Sequence, residues 1–284
     1  MSLYPAPEIV FALLSLGFLG VSDFLYRWGQ RWELRGGPFM LLQNLAYLPT
    51  AFTLAYFRGE LVWTTPLLFG LLNGLLAFMG FLFLLMAFRR GEALALAPVV
   101  RLNFAVTAAL TISLLGEHVN SFKAFALLLA VLAVIAVGGS VGPGRGDRYS
   151  FWLAVGAMTM LGLIGFFYKI AINDGAAPAA MTLCQSIGVF FVALPFALQQ
   201  GQPLPRGGGS LWLPLVCGML TACSYVALAV AMTHGDAVVV APISQLSFVL
   251  TGLLAVVVLK ERLTLRKALG VGFAVLSVLL FAGA

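Results

Sequence analysis

Charge is scarce in this chain: Asp, Glu, Lys and Arg together make up 9% of its 284 residues. A soluble domain carries about 25%, so there is too little polar material here to clothe a water-facing surface. Cysteine is rarer still. Cys184, Cys217 and Cys223 each lie inside an apolar run, with no CxxC or Cys/His cluster. That leaves no basis for a disulfide framework or a zinc site, and no metal or cofactor is expected. The two histidines, His118 and His234, fall at the ends of apolar runs, and there is no HExxH, no paired acidic motif and no Ser/His or Cys/His set. An intramembrane enzyme is therefore not expected. Basic residues form no stripe with interleaved aromatics, which argues against a nucleic-acid partner.

What is present is apolar: 62% of residues are hydrophobic, and the mean hydropathy is +1.05. A membrane helix needs roughly 20 mainly apolar residues. Ten segments meet this, at about 8–27, 38–57, 66–88, 93–115, 121–140, 150–169, 178–198, 211–233, 237–259 and 265–283. The first lacks a basic leader and carries Asp23, so it reads as a span rather than a secretory signal. The breaks carry turn chemistry, as in Arg35-Gly36-Gly37-Pro38 and Arg89-Arg90-Gly91-Glu92. A Gly/Pro/charged stretch, Gly138–Arg148, divides the chain, giving a first half at 1–140, a linker at 141–149 and a second half at 150–284.

The halves are copies. Phe81–Glu117 read against Tyr225–Glu261, at a spacing of 144, gives 12 identities in 37 positions. Gly91/Gly235, Ala97-Pro98/Ala241-Pro242, Phe104/Phe248, Thr107/Thr251 and Glu117/Glu261 are among them. Upstream, Tyr26-Arg27 matches Tyr168-Lys169 and Gln43 matches Gln185 at a spacing of 142. Five helices per copy is an odd number, so the second copy enters the bilayer from the opposite side. The expected architecture is an all-α membrane protein of ten transmembrane helices in two inverted five-helix repeats. Loops after odd-numbered helices hold twelve of the 16 basic residues, and loops after even-numbered helices hold Arg58, Lys123 and Lys169. By the positive-inside rule the odd loops face the cytoplasm and both termini face outward.

These features resemble the drug/metabolite transporter superfamily, in its ten-helix EamA-type branch. The resemblance is carried by the two Gly-Glu/Asp-Ala-x-x-x-Ala-Pro segments, Gly91–Pro98 and Gly235–Pro242, and by the Glu-containing turns at Leu115-Gly116-Glu117 and Leu259-Lys260-Glu261. It implies a plasma (inner) membrane, multi-pass transporter of a small-molecule substrate, with a central cavity among helices 1, 3, 4, 6, 8 and 9. Family members are usually drawn with cytoplasmic termini, opposite to the charge count here.

Candidate site residues follow from charge inside the apolar slab. Arg101 lies roughly 12 Å into helix 4 at 1.5 Å per residue. At that depth a guanidinium costs at least about 2.5–3.5 kcal/mol unless paired or hydrated. Asp23 sits in helix 1 at a depth that differs by less than about one helical turn, so the two form either a salt bridge or the two poles of one site. On the helices that the resemblance assigns to the cavity, Asn73, Asn103, Tyr168, Tyr225 and Gln245, the repeat partner of Arg101, complete the substrate-binding candidates. Pro98 and Pro242 are read as symmetric kinks. Gly70-x-x-x-Gly74 suits close helix packing. Glu117 and Glu261 are read as turn and capping contacts before Ser121 and Thr264, or as gates paired with Lys123, Arg262 or Arg266.

The expected function is a secondary transporter, exporting a small polar or zwitterionic metabolite such as an amino acid by alternating access. Arg101 would receive a carboxylate and Asp23 an amine. The alternatives are a proton-coupled antiporter of drugs or organic cations using Asp23, an organic anion transporter using Arg101, and a lipid flippase. Protons are the candidate coupling ion, and two repeats in one chain suit a functional monomer. The topology is testable in intact cells with a membrane-impermeant maleimide. Gly59→Cys, after helix 2, should be labelled and Gly142→Cys, in the central linker, should not; the reverse pattern would invert the orientation.

Overall fold

The computed structural model describes residues 6–29, 36–90, 99–138, 148–200, 208–258, 260 and 265–283, and among these there is no strand. The helices are α1 (Pro7–Gly29), α2 (Gly36–Phe57), α3 (Leu68–Arg90), α4 (Val99–Leu115), α5 (Ser121–Gly138), α6 (Arg148–Asn173), α7 (Pro178–Gln200), α8 (Gly209–His234), α9 (Ala237–Val258) and α10 (Leu265–Gly283). A 3-10 turn, Thr65–Leu67, leads into α3. Long apolar runs take this form because a helix satisfies its backbone N–H and C=O groups internally, where lipid offers no partner. Six helices (α1, α3, α6, α7, α8 and α9) are long and apolar enough to cross a membrane, and α4, α5 and α10 are shorter apolar helices. α2 has the length but is more polar, carrying Gln43, Asn44, Thr50 and Thr53.

Two helices are interrupted at repeat-equivalent residues. α4 breaks at Leu102 and α9 at Leu246, 144 apart. Both breaks carry i→i+3 bonds: Ala105 N donates to Leu102 O and Val249 N to Leu246 O, each at 2.9 Å. Pro242 stands four residues before the second break, in α9. It lacks the donor a regular helix requires. Pro98, with the whole of Gly91–Pro98, lies outside the described residues, as do Glu261, Arg262 and Thr264.

Packing runs mainly between halves. α1 packs on α8 and α9, α6 on α3 and α4, α2 on α7 and α8, α3 on α7, and α5 on α10. Exchanging each helix for its repeat counterpart turns this set into itself. The correspondence reaches single atoms. Thr107 Oγ1 donates to Gly162 O at 2.8 Å, and Thr251 Oγ1 donates to Gly20 O at 2.9 Å. A Cβ at Gly162 would meet Val106 and the Asn103 carbonyl, and one at Gly20 would meet Leu250 and the Ser247 carbonyl. On α2 and α7, Asn44 Nδ2 donates to Ser186 O at 3.2 Å and Ser186 Oγ donates to Asn44 Oδ1 at 3.0 Å, across a spacing of 142. A residue touches its own equivalent only at the axis of a two-fold contact.

Gly74 and Gly218 permit close approach: a Cβ on either would drive into the backbone carbonyl of Gln185 or Gln43, respectively. Gly74→Ala and Gly218→Ala should each lower stability by about 1–3 kcal/mol, the usual cost of overpacking, read as a lower Tm in detergent. Gly17→Ala and Gly252→Ala, whose Cβ would meet nothing within 4 Å, should show no such loss.

Candidate functional site

A cavity of about 220 Å³ opens where α2, α3, α6, α7 and α8 converge. Its polar wall comes from Gln43, Asn44 and Tyr47 of α2, Gln185 and Ser186 of α7, and Thr221 and Tyr225 of α8; Phe81, Leu84 and Leu161 supply much of the apolar wall. None of the lining residues is charged. Gly80 lines it too, and its repeat equivalent is Ser224. Ser224 Oγ and Ser244 Oγ, of the second half, are joined to Ser15 Oγ of α1 at 2.9 and 2.7 Å. Their counterparts Gly80, Ala157 and Val100 carry no hydroxyl, so the halves share a backbone plan but not this network.

The wall is cross-braced. Gln43 Nε2 donates to Thr221 Oγ1 at 3.3 Å, and Thr221 Oγ1 donates to Cys217 O at 2.7 Å. The Ser22 hydroxyl meets that of Thr221 at 3.1 Å, joining α1 to the wall. Behind it, the Tyr168 hydroxyl donates to Gln185 Oε1. Tyr225 lies between Tyr47 and Tyr168, with ring centroids 6.4 and 6.0 Å away. These bonds restrain the orientations of the side chains that make them.

Beside the α8 wall, Arg101 Nη2 donates to Asp23 Oδ2 at 2.6 Å, tying α4 to α1. Both side chains stay partly exposed, at 30% and 24%. Asp23 follows Ser22 directly, and Tyr225 is within electrostatic reach of both charges. The two intramembrane charges singled out from sequence are thus brought together. Of the other candidates, Tyr225 lines the cavity and Tyr168 stands one hydrogen bond behind it. Asn73 is fully buried between α3 and α6, donating to Ile164 O at 3.3 Å. Asn103 is buried in the first part of α4, and Gln245 sits partly buried in the turn before the Leu246 break.

The cavity differs from the expected helix set. α3, α6 and α8 contribute as the resemblance implies, but α2 and α7 replace α1, α4 and α9 in the lining. Gln43, Asn44, Tyr47, Gln185, Ser186 and Thr221 were not among the sequence candidates. One signal was available: the Gln43/Gln185 match, which places Asn44 opposite Ser186 at the same spacing.

The EamA-like transporter family matches over residues 148–283. A protein described as an uncharacterized transporter in the cobO 3′ region of a Sinorhizobium species is 32% identical over 139 residues, 97% of that protein and 48% of this chain. This chain belongs to the EamA-like transporter family. One solved crystal structure superimposes on the EamA-like chain with a TM-score of 0.80 at 15% identity, covering 98% of both, so the fold is shared. The EamA-like chain is a multi-pass membrane protein and a transporter rather than an enzyme, consistent with the plasma membrane.

The Arg101–Asp23 pair makes a testable demand on stability. Removing one partner strands a charge, which costs about 3–5 kcal/mol in a fully buried pair and should cost less here because both groups are partly exposed. Arg101→Gln and Asp23→Asn should each lower Tm more than the double variant Asp23→Asn/Arg101→Gln does. Additive losses would mean that the pair is not coupled.

Proposed function

We propose that this EamA-like chain is a secondary transporter that exports a small zwitterionic metabolite, of amino-acid kind, by alternating access between two inverted five-helix halves. The observation that carries this is the partly exposed Arg101–Asp23 pair beside an uncharged, hydrogen-bonding cavity. A zwitterion entering the pair offers its carboxylate to Arg101 and its ammonium to Asp23, so every charge remains matched. A simple anion or cation would displace one partner and leave it uncompensated inside the slab, which is costly. That difference favours the zwitterion over an organic anion held by Arg101 or a cationic drug held by Asp23. Size points the same way, since about 220 Å³ falls below the roughly 300–1,000 Å³ of pockets for drug-sized ligands.

Support for inverted halves comes from the self-mapping packing set, the Asn44–Ser186 contact and the paired threonine bonds. The family match, over one half, and the half-length relative fit a five-helix unit used twice. Loading from the cytoplasm is supported by position. The cavity residues of α2 and α3 lie toward the ends that adjoin the basic loops at Arg27–Arg35 and Arg89-Arg90.

The test is counterflow in proteoliposomes with labelled neutral amino acids, an organic anion series and cationic dyes. Exchange of a neutral amino acid, weakened at least about tenfold in both Arg101→Gln and Asp23→Asn, is the expected result. Dye exchange coupled to protons, lost in Asp23→Asn and kept in Arg101→Gln, would establish the antiporter instead. Anion exchange lost only in Arg101→Gln would establish the organic anion transporter.

A further inference from the structure

At the end of the bundle away from the basic loops, a second set of charges joins α4 and α6 to the turn between α8 and α9. α4 ends at Gly116, whose left-handed backbone (φ 69°) turns the chain sharply. Glu117 therefore points away from its own helix and from the adjacent α5. Its Oε1 accepts from Ala237 N at 2.7 Å and its Oε2 from Val238 N at 2.9 Å, so both oxygens cap the first turn of α9. Lys169, near the end of α6, donates to Met232 O at 3.0 Å and Gly235 O at 2.7 Å, the closing carbonyls of α8 and its turn. Its Nζ is 3.9 Å from Glu117 Oε1, with the two side chains 10% and 5% exposed.

The sequence-based expectation for Glu117 thus needs correction. Lys123 bonds Asp236 at 2.7 Å instead of Glu117, and the cap of α5 is Asn120, whose Oδ1 accepts from Lys123 N at 2.8 Å, not Ser121.

An acid on a helix N-terminus and a base on a helix C-terminus each match the sign of the backbone dipole they meet. Here one acid and one base, from α4 and α6, grip both ends of the α8–α9 turn. α6 packs chiefly on α3 and α4, and α8 and α9 chiefly on α1; α4 also packs on α9, and α6 more lightly on α8 and α9. The grip lies across that second set of contacts, between the α4–α6 and α8–α9 groups, at the opposite end from the cavity's basic-loop side. Its charges are almost wholly desolvated and compensate one another through the helix ends. Parting the groups would leave four backbone partners and two ions to be met by water, so this end opens only if water enters.

We infer that Glu117 and Lys169 form a clasp that holds the end of the transport path remote from the basic loops shut in this state, acting as positioning residues through the α8–α9 turn. Charges of the same signs recur in the sequence at Glu261 and Arg27, at spacings of 144 and 142.

The clasp rests on the alternating-access reading, and reporter cysteines separate the two. In the full chain with Cys184, Cys217 and Cys223 replaced by Ala, Met232→Cys lies buried beneath the clasp and Val189→Cys lies in the cavity wall. Maleimide labelling is compared in proteoliposomes for the parent, Glu117→Gln, Lys169→Met and Lys169→Arg. The expected result is a reciprocal change: Glu117→Gln and Lys169→Met raise labelling at 232 at least about tenfold and reduce it at 189, while Lys169→Arg restores the parent pattern. Labelling that rises at both positions means general loosening and overturns the clasp, as does labelling unchanged at both. If Glu117→Gln fails to fold, Glu117→Asp gives the same comparison with a shorter reach. Reciprocal labelling without solute exchange by the parent would uphold the clasp and sink the proposed substrate. Exchange by the parent with no shift in labelling would do the opposite.

Discussion

A charge carried into a lipid slab must be neutralised by the chain itself, because hydrocarbon offers neither counter-ion nor hydrogen bond. That constraint organises the polar part of this protein. Arg101 and Asp23 satisfy it with each other. Glu117 and Lys169 satisfy it chiefly with helix ends, whose unpaired amides and carbonyls need partners for the same reason. Glu60 follows the same rule, accepting from Ala179 N at 2.6 Å at the start of α7. Each of these contacts joins a residue of one half to a helix of the other or to a helix distant in sequence. The few charges of the chain thus set how its apolar helices are placed.

Close packing supplies the remaining cohesion. Helices in lipid gain little from apolar burial against one another, so backbone approach and interhelical hydrogen bonds carry more of the load. Glycines at Gly20, Gly74, Gly162 and Gly218 let backbone carbonyls of other helices come close, and Thr107 and Thr251 donate across the same contacts to the carbonyls of Gly162 and Gly20. The cavity arises where this packing is left unfinished: Gly80 has no side chain where its counterpart Ser224 bonds to Ser15. A site and a seam thus occupy matching positions in the two copies.

Much of the fold was legible because membrane helices announce themselves by length and hydropathy. Among the described residues, α1 to α10 fall within or close to the expected apolar segments, and six of them are long and apolar enough to cross a membrane. The Arg101–Asp23 encounter was legible too, because depth along two helices can be counted from their ends. Depth alone left open the choice between a salt bridge and a split site, which needs the distance between helix axes. The cavity wall was harder. Gln43, Asn44, Tyr47, Gln185 and Thr221 are ordinary polar residues in apolar runs, and only their convergence distinguishes them. Glu117 was assigned to its neighbouring turn because spacing favours local partners; the reversal at Gly116 sends it to α9 instead.

Composition, hydropathy and the repeat by themselves determined a helical membrane protein with two opposite intramembrane charges at similar depth, and its motifs carried the resemblance to the EamA type, since each property depends on residue type and position along the chain. The tertiary structure alone decided which helices exchange partners, that α2 and α7 line the cavity, and that Glu117 and Lys169 grip a distant turn. Those outcomes depend on the rotation of each helix about its own axis, which close packing against neighbours sets and which a nearly uniform apolar sequence leaves unmarked.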